Sequence, residues 1–263
     1  MSTDPYATPK SFVEDAPGAA IDAEFVPGGQ RVAGGRGWDW IAQGWELFRK
    51  DPGMWIVLFI LFVVIFGAVS LIPVVGSVAT FLFGPVLGAG IVVGCRTLEE
   101  GGNLQVLHLF VGFREKTGPL VAVGALYLAA WVVILLVVFL VAGAGVVALF
   151  MGASQGAGPA SPGAVMGLLL AVLLALALSV PAMMAVWFAA PLVLFHDHSP
   201  AEAMKSSFRG CLKNVWPFLI YGLIVLVLSV PATILLGLGW LVLGPVIAAS
   251  FYTSYRDIYT RNA

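Results

Sequence analysis

The chain has 263 residues, of which 60 % are hydrophobic and only 10 % are charged, with a formal net charge of −1. Soluble domains are typically about 45–50 % apolar and about 25 % charged, and a globule of this size has too little interior to bury so much apolar surface. The composition therefore predicts a polytopic membrane protein. It excludes a water-soluble enzyme, a disordered regulator, a nucleic-acid-binding domain and a disulfide-stapled secreted module.

Three long stretches contain no Asp, Glu, Lys or Arg: residues 52–95, 117–196 and 214–255. A spanning helix needs about 20 apolar residues, so each stretch is long enough for two crossings. We predict an all-α transmembrane domain over residues 37–263 with six spanning helices, at residues 54–72, 78–95, 120–149, 165–195, 215–234 and 238–255.

The basic residues lie before the first helix, after the sixth and in alternate connections, whereas the other connections hold none. They are Lys10, Arg31, Arg36, Arg49, Lys50, Arg96, Arg114, Lys116, Lys205, Arg209, Lys213, Arg256 and Arg261. Because cytoplasmic loops carry an excess of Lys and Arg, we expect both termini and both charged loops in the cytoplasm.

Residues 1–36 are rich in Gly, Pro, Ala and acidic residues, with no apolar run of the kind that a signal peptide requires. We expect a disordered cytoplasmic tail, either a tether for a partner or a solvated leader. Cys95 and Cys211 fall on the predicted cytoplasmic side, where thiols stay reduced, so no disulfide is expected.

An amphipathic segment precedes each pair of predicted spanning helices. In the first, apolar residues recur at helical spacing at Trp38, Ile41, Trp45 and Phe48. Polar residues fall on the other side, so the pattern predicts a helix with one aromatic and one solvated face that lies in the membrane interface.

The other two amphipathic segments begin at recognisable caps. The second starts at a candidate N-cap, Asn103, and its apolar side comprises Leu107, Phe110, Val111 and Phe113. The third has Ser199 as N-cap, Pro200 in the first turn and Glu202 three residues after the cap, which predicts a capping box. Its apolar stripe comprises Met204, Phe208, Cys211 and Val215.

Short motifs indicate an internal repeat of these units. Gly84-Pro85-Val86 and Gly244-Pro245-Val246 are each followed by an arginine at the same spacing, Arg96 and Arg256. We infer three units of an interfacial helix plus a helical hairpin, over residues 37–100, 101–198 and 199–260. The helices of the middle unit are longer than the bilayer core requires, and we expect a kink at Pro181.

The sequence resembles a family of uncharacterised bacterial integral membrane proteins with six helices, over about residues 36–260. The resemblance rests on the combined motifs Trp-Glu-Leu-Phe-Arg-Lys-Asp-Pro (45–52), Leu-Phe-x-x-Phe-Arg (109–114), Phe-Ala-Ala-Pro-Leu-Val (188–193) and Ala-Ala-Ser-Phe-Tyr-Thr-Ser-Tyr-Arg-Asp-Ile (248–258), with the two Gly-Pro segments. The plan is more loosely similar to the membrane domains of some bacterial glycerophosphodiesterases. The resemblance implies this topology and a location in the bacterial cytoplasmic (inner) membrane, and it supplies no activity.

Chemically reactive groups are scarce, because the predicted spans contain no acidic residues and no lysines or arginines in their apolar stretches. Their hydroxyls are expected to bond to their own backbone or to a neighbouring helix. These polar side chains are Ser70, Thr80, Tyr127, Ser179, Tyr221 and Ser229. We expect no catalytic residues and no cofactor, hence no enzyme.

His196-Asp197-His198 is the single constellation that suggests metal chemistry, but three adjacent residues at a helix end rarely converge on one ion, so we predict no metal site. Asp197 is expected to belong to the N-terminal approach of the Ser199 helix, where a negative charge is favourable.

Two Gly-x-x-x-Gly motifs, Gly84–Gly88 and Gly90–Gly94, predict close helix packing.

Cations near the ends of the amphipathic segments form what we call the basic collar, a candidate site for lipid headgroups. Its members are Lys205, Arg209, Lys213, Arg49, Lys50, Arg114 and Lys116. Like charges four residues apart repel one another on a helix, but an anionic leaflet would make them favourable. The alternative interpretation is that these cations only set the topology.

Two classes of function remain. The first is a non-enzymatic membrane protein that acts as a scaffold or assembly protein or interacts with lipids. Its expected partners are membrane lipids, anionic ones among them, and either another membrane protein or a second copy of the chain. The second is a carrier or permeation path for a neutral or lipid-like solute, with proline-broken helices as moving parts.

Overall fold

A computed structural model describes residues 23–154, 162–234 and 236–262. The helices are α1 (Arg36–Lys50), α2 (Pro52–Ser70), α3 (Val75–Glu99), α4 (Thr117–Ser154), α5 (Pro162–Trp187), α6 (Ala189–His196), α7 (Pro200–Lys213), α8 (Val215–Ile234) and α9 (Trp240–Tyr259). A 3-10 helix spans Val106–Phe113. Strands β1 (Ala23–Phe25) and β2 (Thr260–Asn262) pair antiparallel, with Glu24 opposite Arg261.

In the described ranges, five helical segments are long and apolar enough to span a bilayer. They are Pro52–Ser70, Val75–Glu99, Thr117–Val141, Val165–His196 and Val215–Ile234. In the fourth of these, which runs through α5 and α6, only 6 % of the most apolar window is buried. Apolar side chains exposed over such a length require lipid around them. The prediction of an all-α polytopic membrane protein is confirmed.

The sixth predicted span corresponds to α9, which is helical but is not among these five segments. Its second half contains Tyr252, Thr253 and Ser254, which are buried in the protein and lower the hydropathy of the helix. Thr253, for example, donates its hydroxyl to the backbone carbonyl of Trp40 in α1 at 2.9 Å. Because this half of α9 faces other helices, it does not need the apolar surface that lipid demands.

Each amphipathic segment packs on helices from a different sequence unit. α1 packs mainly on α8 and α9, the 3-10 helix packs on α3, and α7 packs on α5 and α6. The three units therefore contact one another in a cycle, in which every amphipathic segment lies against the helices of the preceding unit and α1 lies against those of the last. α4 and α5 also pack along each other.

The buried face of α1 differs from the predicted aromatic stripe. Of that stripe, Ile41 and Phe48 are buried in the protein, whereas Trp38 is 59 % exposed and Trp45 is 44 % exposed. Trp40 is fully buried instead. The physical reason is that α1 has protein on the side of α8 and α9, where Gly37 and Gly44 allow close approach, and this contact selects the face.

The second amphipathic segment is a 3-10 helix and not an α-helix, and Asn103 does not cap it. Gln105 is the cap, and the Gln105 backbone N–H donates to His108 Nδ1 at 3.1 Å. Of the predicted apolar side, Leu107 is 61 % exposed, and the buried residues are Leu109 and Gly112. The short segment packs along α3.

The capping box of α7 is confirmed: the Glu202 N–H donates to Ser199 Oγ and the Ser199 N–H donates to Glu202 Oε2 at 3.1 Å. The predicted apolar stripe is right only for Cys211, since Met204 and Phe208 are half-buried and Val215 is exposed. The face that packs on α5 and α6 consists of small residues. These are Ala203, Ser206, Ser207, Gly210 and Cys211.

α5 continues through Pro181, where the sequence predicts a kink, and the helix is interrupted at Phe188. The Phe188 N–H donates to Ser207 Oγ at 2.8 Å, and the Ser207 hydroxyl donates to the Met184 carbonyl at 2.7 Å. The Ser207 hydroxyl of α7 thus lies between the Phe188 N–H and the Met184 carbonyl, which would bond to each other in an uninterrupted α-helix. Pro191, which has no N–H for the Trp187 carbonyl, weakens the same turn.

Hydroxyls in the apolar helices bond locally, as expected. Ser70, Thr80, Ser179 and Ser229 each donate to a backbone carbonyl three or four residues earlier. Tyr221 and Ser250 join α8 to α9 at 2.9 Å between their hydroxyl oxygens. The hydroxyls of these side chains therefore have hydrogen-bond partners within the helix bundle.

The two Gly-x-x-x-Gly motifs behave differently. A Cβ at Gly90 would collide with the backbone carbonyls of His108 and Leu109, and one at Gly94 would lie 2.6 Å from Leu104 Cδ1. By contrast, a Cβ at Gly84 or Gly88 would meet no atom of the described residues within 4 Å. Close packing is confirmed for the second motif and is wrong for the first.

The predicted disordered tail does not hold for residues 23–35, and residues 1–22 lie outside the described residues. Residues 23–25 form β1, and the following loop bonds to α9 and α7. Asn214 anchors it: Asn214 Oδ1 accepts from the Val32 N–H at 2.8 Å, and Asn214 Nδ2 donates to the Gln30 carbonyl at 2.8 Å.

The predicted uncharged loop at residues 152–163 is described only at its two ends.

Candidate functional site

The charged groups gather at one end of the bundle, which we call the charged end. There the last turns of α3, α6 and α9 meet the first turn of α1 and the loop before it, and they surround a cleft of about 550 Å³, which we call the polar cleft. Its charged lining comprises Arg36, Arg96, Glu99, Glu100, Arg256, Asp257 and Arg261. The α2–α3 turn at residues 71–74 and residues 236–239 lie at the other ends of these helices and carry no charge.

Arg36 and Asp257 form the best-defined ion pair of the polar cleft. Arg36 Nε and Nη2 donate to the two oxygens of Asp257 at 2.8 and 2.6 Å, a bidentate arrangement. The indole N–H of the buried Trp40 donates to Asp257 Oδ2 at 2.8 Å. Hydrogen bonding to Asp257 raises the pKa of Arg36 above its ordinary value. This pair joins the start of α1 to the end of α9.

A second set of ionic contacts joins α3 to α9 and α1. Arg256 pairs with Glu99 and donates from Nη2 to Gln43 Oε1 at 2.7 Å. The Tyr252 hydroxyl donates to Glu99 Oε2 at 2.6 Å. Arg96 donates from Nε to Glu100 Oε1 at 2.8 Å. Its guanidinium also lies 5.1 Å from the centre of the Phe195 ring.

His196 lies at the α6 side of the polar cleft, within a group of rings. Its Nε2 is 2.6 Å from the Tyr255 hydroxyl, and its imidazole stacks on Phe25 of β1 with ring centres 3.6 Å apart. Among the described residues, no group of three His, Cys, Asp or Glu side chains is arranged to hold a metal ion.

Asp197 ends α6 and stands two residues before Ser199, the N-cap of α7, which is the position predicted for it. It adopts the left-handed conformation, with φ 53°, and its carboxylate pairs with Lys116 at the start of α4. The ammonium of Lys116 lowers the pKa of the Asp197 carboxyl. The pair ties the two ends of the middle unit together.

The seven members of the basic collar are placed in two groups. Lys50 donates to the Leu98 carbonyl at 2.7 Å, Lys213 donates to the Gly29 carbonyl at 2.7 Å, and Lys116 pairs with Asp197. The other four side chains are exposed and make no hydrogen bond or ion pair with another described residue. These are Arg49, Arg114, Lys205 and Arg209.

An apolar cavity of about 370 Å³ lies between α3, α4, α9 and the α5–α6 break. Gly84 and Gly88 line one wall, which is why a Cβ at either position would meet open space. The indole N–H of Trp187, on the same lining, is buried and has no hydrogen-bond partner among the described residues. This cavity is suited to an apolar occupant such as an acyl chain.

The polar cleft was missed by the sequence analysis, which assigned Arg96 and Arg256 only to helix ends. The internal repeat contains a pattern that could have revealed the cleft. Both arginines follow a Gly-Pro-Val motif at the same spacing, so they occupy the same level of α3 and α9 and meet at one end. The partners Arg36 and Gln30 come from more than 200 residues away in the chain from Asp257.

Comparison with known proteins gives one relevant similarity. The chain is similar to a probable inner membrane protein of Burkholderia thailandensis, with 29 % identity over 254 residues that cover 87 % of this chain and 92 % of the relative. No protein-family model and no solved structure matches it. The looser similarity to glycerophosphodiesterase membrane domains gains no support. Together with its apolar helices, this similarity characterises the chain as an integral membrane protein of the inner-membrane type.

Proposed function

We propose that this chain is a non-enzymatic membrane protein that binds anionic lipid at its charged end through the exposed members of the basic collar. The observation that carries the proposal is the division of the collar described above. Lys50, Lys116 and Lys213 hold the charged end together, whereas Arg49, Arg114, Lys205 and Arg209 are free to contact headgroups.

Exposed aromatic residues support a position at the membrane surface. Trp38, Trp45 and Trp216 are 59, 44 and 69 % exposed, and all three belong to or directly follow the amphipathic helices α1 and α7. Trp is enriched where hydrocarbon meets headgroups, because its ring is amphipathic. Tryptophans beside unpaired cations are what a helix in the interface of an anionic leaflet requires.

The proposal includes six crossings, with the charged end and both termini in the cytoplasm. α9 has 20 residues, which is about 30 Å of helix and sufficient to cross the core of a bilayer. The polar residues that lower its hydropathy lie in the half that is buried against α1, so they do not face lipid. The excess of Lys and Arg at the charged end supports the orientation.

Cysteine accessibility tests this topology. Leu236 is 94 % exposed at the uncharged end, and Glu46 is exposed at the charged end, so Leu236→Cys and Glu46→Cys are suitable labelling sites. The native Cys95 and Cys211 are buried. In intact spheroplasts an impermeant maleimide should label Leu236→Cys only, and Glu46→Cys should react after lysis. The opposite pattern would reverse the orientation.

Lipid binding is tested by native mass spectrometry of protein extracted from membranes that contain phosphatidylglycerol. We expect the double variant Lys205→Gln/Arg209→Gln to retain several-fold less of this lipid than the wild type. The matched control is Lys50→Gln/Lys116→Gln, which removes the same charge from ammonium groups that already have protein partners. Equal lipid retention in the wild type and in Lys205→Gln/Arg209→Gln would contradict the proposal.

A carrier for a lipid-like solute is the second candidate, and the apolar cavity supports it. The cavity lies beside the α5–α6 break, and broken helices occur at transport sites. Reconstituted protein would then accelerate the transfer of a fluorescent phospholipid between leaflets, measured by its quenching with dithionite. Gly88→Leu, which fills the cavity, should abolish that acceleration. No acceleration by the wild type would exclude this candidate.

A further inference from the structure

The polar cleft has the dimensions of a ligand site and does not overlap the basic collar. Its volume of about 550 Å³ falls within the range of small-molecule pockets. None of the seven collar residues lines it. The inference drawn from it therefore goes beyond the proposed function.

The carboxylates of the polar cleft are more buried than its guanidiniums. The side chains of Glu99, Glu100 and Asp257 are 16, 17 and 15 % exposed, whereas those of Arg36, Arg96 and Arg256 are 32–34 % exposed. Each carboxylate also accepts from an arginine, and two of them accept from Tyr252 or Trp40 as well. The carboxylates thus position the arginines, and the open face of the cleft is cationic.

Two arginines retain donors that the protein does not use. Arg96 bonds to Glu100 through Nε alone, so its two terminal nitrogens have no hydrogen-bond partner among the described residues. The Arg261 side chain, on β2, is exposed and has none in the described part of the chain. Arg36 and Arg256 are committed to Asp257 and Glu99, so Arg96 and Arg261 are the lining arginines whose donors remain available; Asp39, which pairs with Arg36, and Glu24, opposite Arg261 on β1, lie outside the lining.

We propose that the polar cleft binds the phosphate group of a small organic phosphate through Arg96 and Arg261. Guanidinium donors match the oxygens of a phosphate in a planar, bidentate manner. The organic part of the ligand would contact two neighbouring rings. The Phe195 ring, next to Arg96, offers an apolar surface, and Tyr255 offers a hydroxyl. The volume is larger than inorganic phosphate needs and suits a group of the size of glycerol phosphate.

Such a phosphate has two sources at this end of the molecule, a phospholipid headgroup and a water-soluble phosphate ester. Both present the same anion to Arg96 and Arg261, and the experiment separates them with one probe for each. The soluble probe is glycerol 3-phosphate, with glycerol as its neutral control. The lipid probe is phosphatidylglycerol.

Calorimetric titration of the full chain in dodecyl maltoside tests the soluble source. The test variants are Arg261→Gln, which breaks no ion pair, and Arg96→Gln/Arg261→Gln. The matched control is Arg31→Gln, an exposed cation near the charged end that does not line the cleft. We expect the wild type and Arg31→Gln to bind glycerol 3-phosphate and not glycerol. Affinity should fall about tenfold or more in Arg261→Gln and further in the double variant.

Retention of phosphatidylglycerol, measured by native mass spectrometry on the same variants, tests the lipid source. Loss of lipid in Arg96→Gln/Arg261→Gln, without binding of glycerol 3-phosphate by the wild type, would support the proposal with a headgroup as the ligand. Unfolding temperatures equal to that of the wild type would show that Arg261→Gln is folded.

Two results would overturn the proposal. The first is that the wild type and both cleft variants bind each probe equally, or that none of them binds either probe. The second is that phosphatidylglycerol is lost only in Lys205→Gln/Arg209→Gln, with no binding of glycerol 3-phosphate to the cleft. In that case the basic collar would remain the lipid site, and the cleft would hold only its own ion pairs.

Discussion

Gly44 of α1 lies directly against Val246 of α9, where a Cβ on Gly44 would come within 2.8 Å of the Val246 carbonyl oxygen. Gly112 of the 3-10 helix lies in the same way against the carbonyl of Val86 in α3. Val86 and Val246 are the third residues of the two Gly-Pro-Val motifs. The repeated motif therefore marks the place where a helix receives an amphipathic segment of another unit.

The first prediction concerns this contact. Gly44→Ala should destabilise the protein by about 1–3 kcal/mol, because the backbone of α9 must move to admit the methyl group. Gly88→Ala is the matched control. A Cβ there meets no atom within 4 Å, so the change should be neutral or stabilising by up to about 1 kcal/mol through helix propensity. Thermal unfolding in detergent measures both. Equal effects of the two substitutions would contradict the packing.

The second prediction concerns the interruption at Phe188. Ser207→Ala should cost about 1–2 kcal/mol, since Ser207 is fully buried and its hydroxyl satisfies both the Phe188 N–H and the Met184 carbonyl. Ser206→Ala is the adjacent control, because the buried Ser206 hydroxyl has no hydrogen-bond partner among the described residues. Its effect should stay within about 0.5 kcal/mol. Unfolding in a graded dodecyl sulfate series would compare them, and a larger loss in Ser206→Ala would refute this role.

The third prediction concerns the loop before α1. Asn214 is fully buried and makes hydrogen bonds to Val32, Gln30 and Gly210, so Asn214→Ala should release residues 23–35 from α7 and α9. Hydrogen–deuterium exchange at the Val32 amide should accelerate about tenfold or more. Asn103→Ala, at an exposed position, should leave the exchange unchanged. Protection that persists in Asn214→Ala would show that the other bonds of the loop, from Lys213 and to α9, hold it without Asn214.

The fourth prediction concerns acid. Lys116 lowers the pKa of Asp197 below its ordinary value of 3.8, so the pair stabilises the fold above that value and loses its effect as the pH falls through the lowered pKa. Asp197→Asn should therefore lower the unfolding temperature at about pH 6, and the deficit should shrink as the pH is lowered from about 4 through the lowered pKa. Asn tolerates the left-handed backbone of this position. Glu46→Gln, which removes an exposed carboxylate, serves as the control. A deficit of the same size across this pH range would disprove the role of the ion pair.

The locations of the helices could be predicted from the sequence because two local rules apply. A charge-free stretch of sufficient length must satisfy its backbone internally in lipid, and a helix does so wherever the stretch occurs. The Ser199 capping box is equally local, since its partners lie three residues apart. These features need no knowledge of what surrounds the helix.

The faces of the amphipathic segments could not be predicted in the same way. Periodicity placed Trp38 and Trp45 on one aromatic face of α1 together with Ile41 and Phe48, but a helix at a membrane surface has two apolar surroundings, lipid and protein. Which of them a tryptophan meets depends on the partner helix. Here the small residues Gly37 and Gly44 allow α8 and α9 to approach and bury Trp40 instead.

The break at Phe188 and the polar cleft depend wholly on tertiary contacts. Pro181 and Pro191 are both prolines in an apolar helix, yet only the turn before Pro191 opens, because Ser207 of a different helix supplies the hydrogen bonds that the opened turn requires. The cleft likewise needs Arg36 to meet Asp257, residues that are 221 positions apart. Local sequence decides where helices form in this protein, and the long-range pairing of their ends decides where its charges, and its candidate sites, come together.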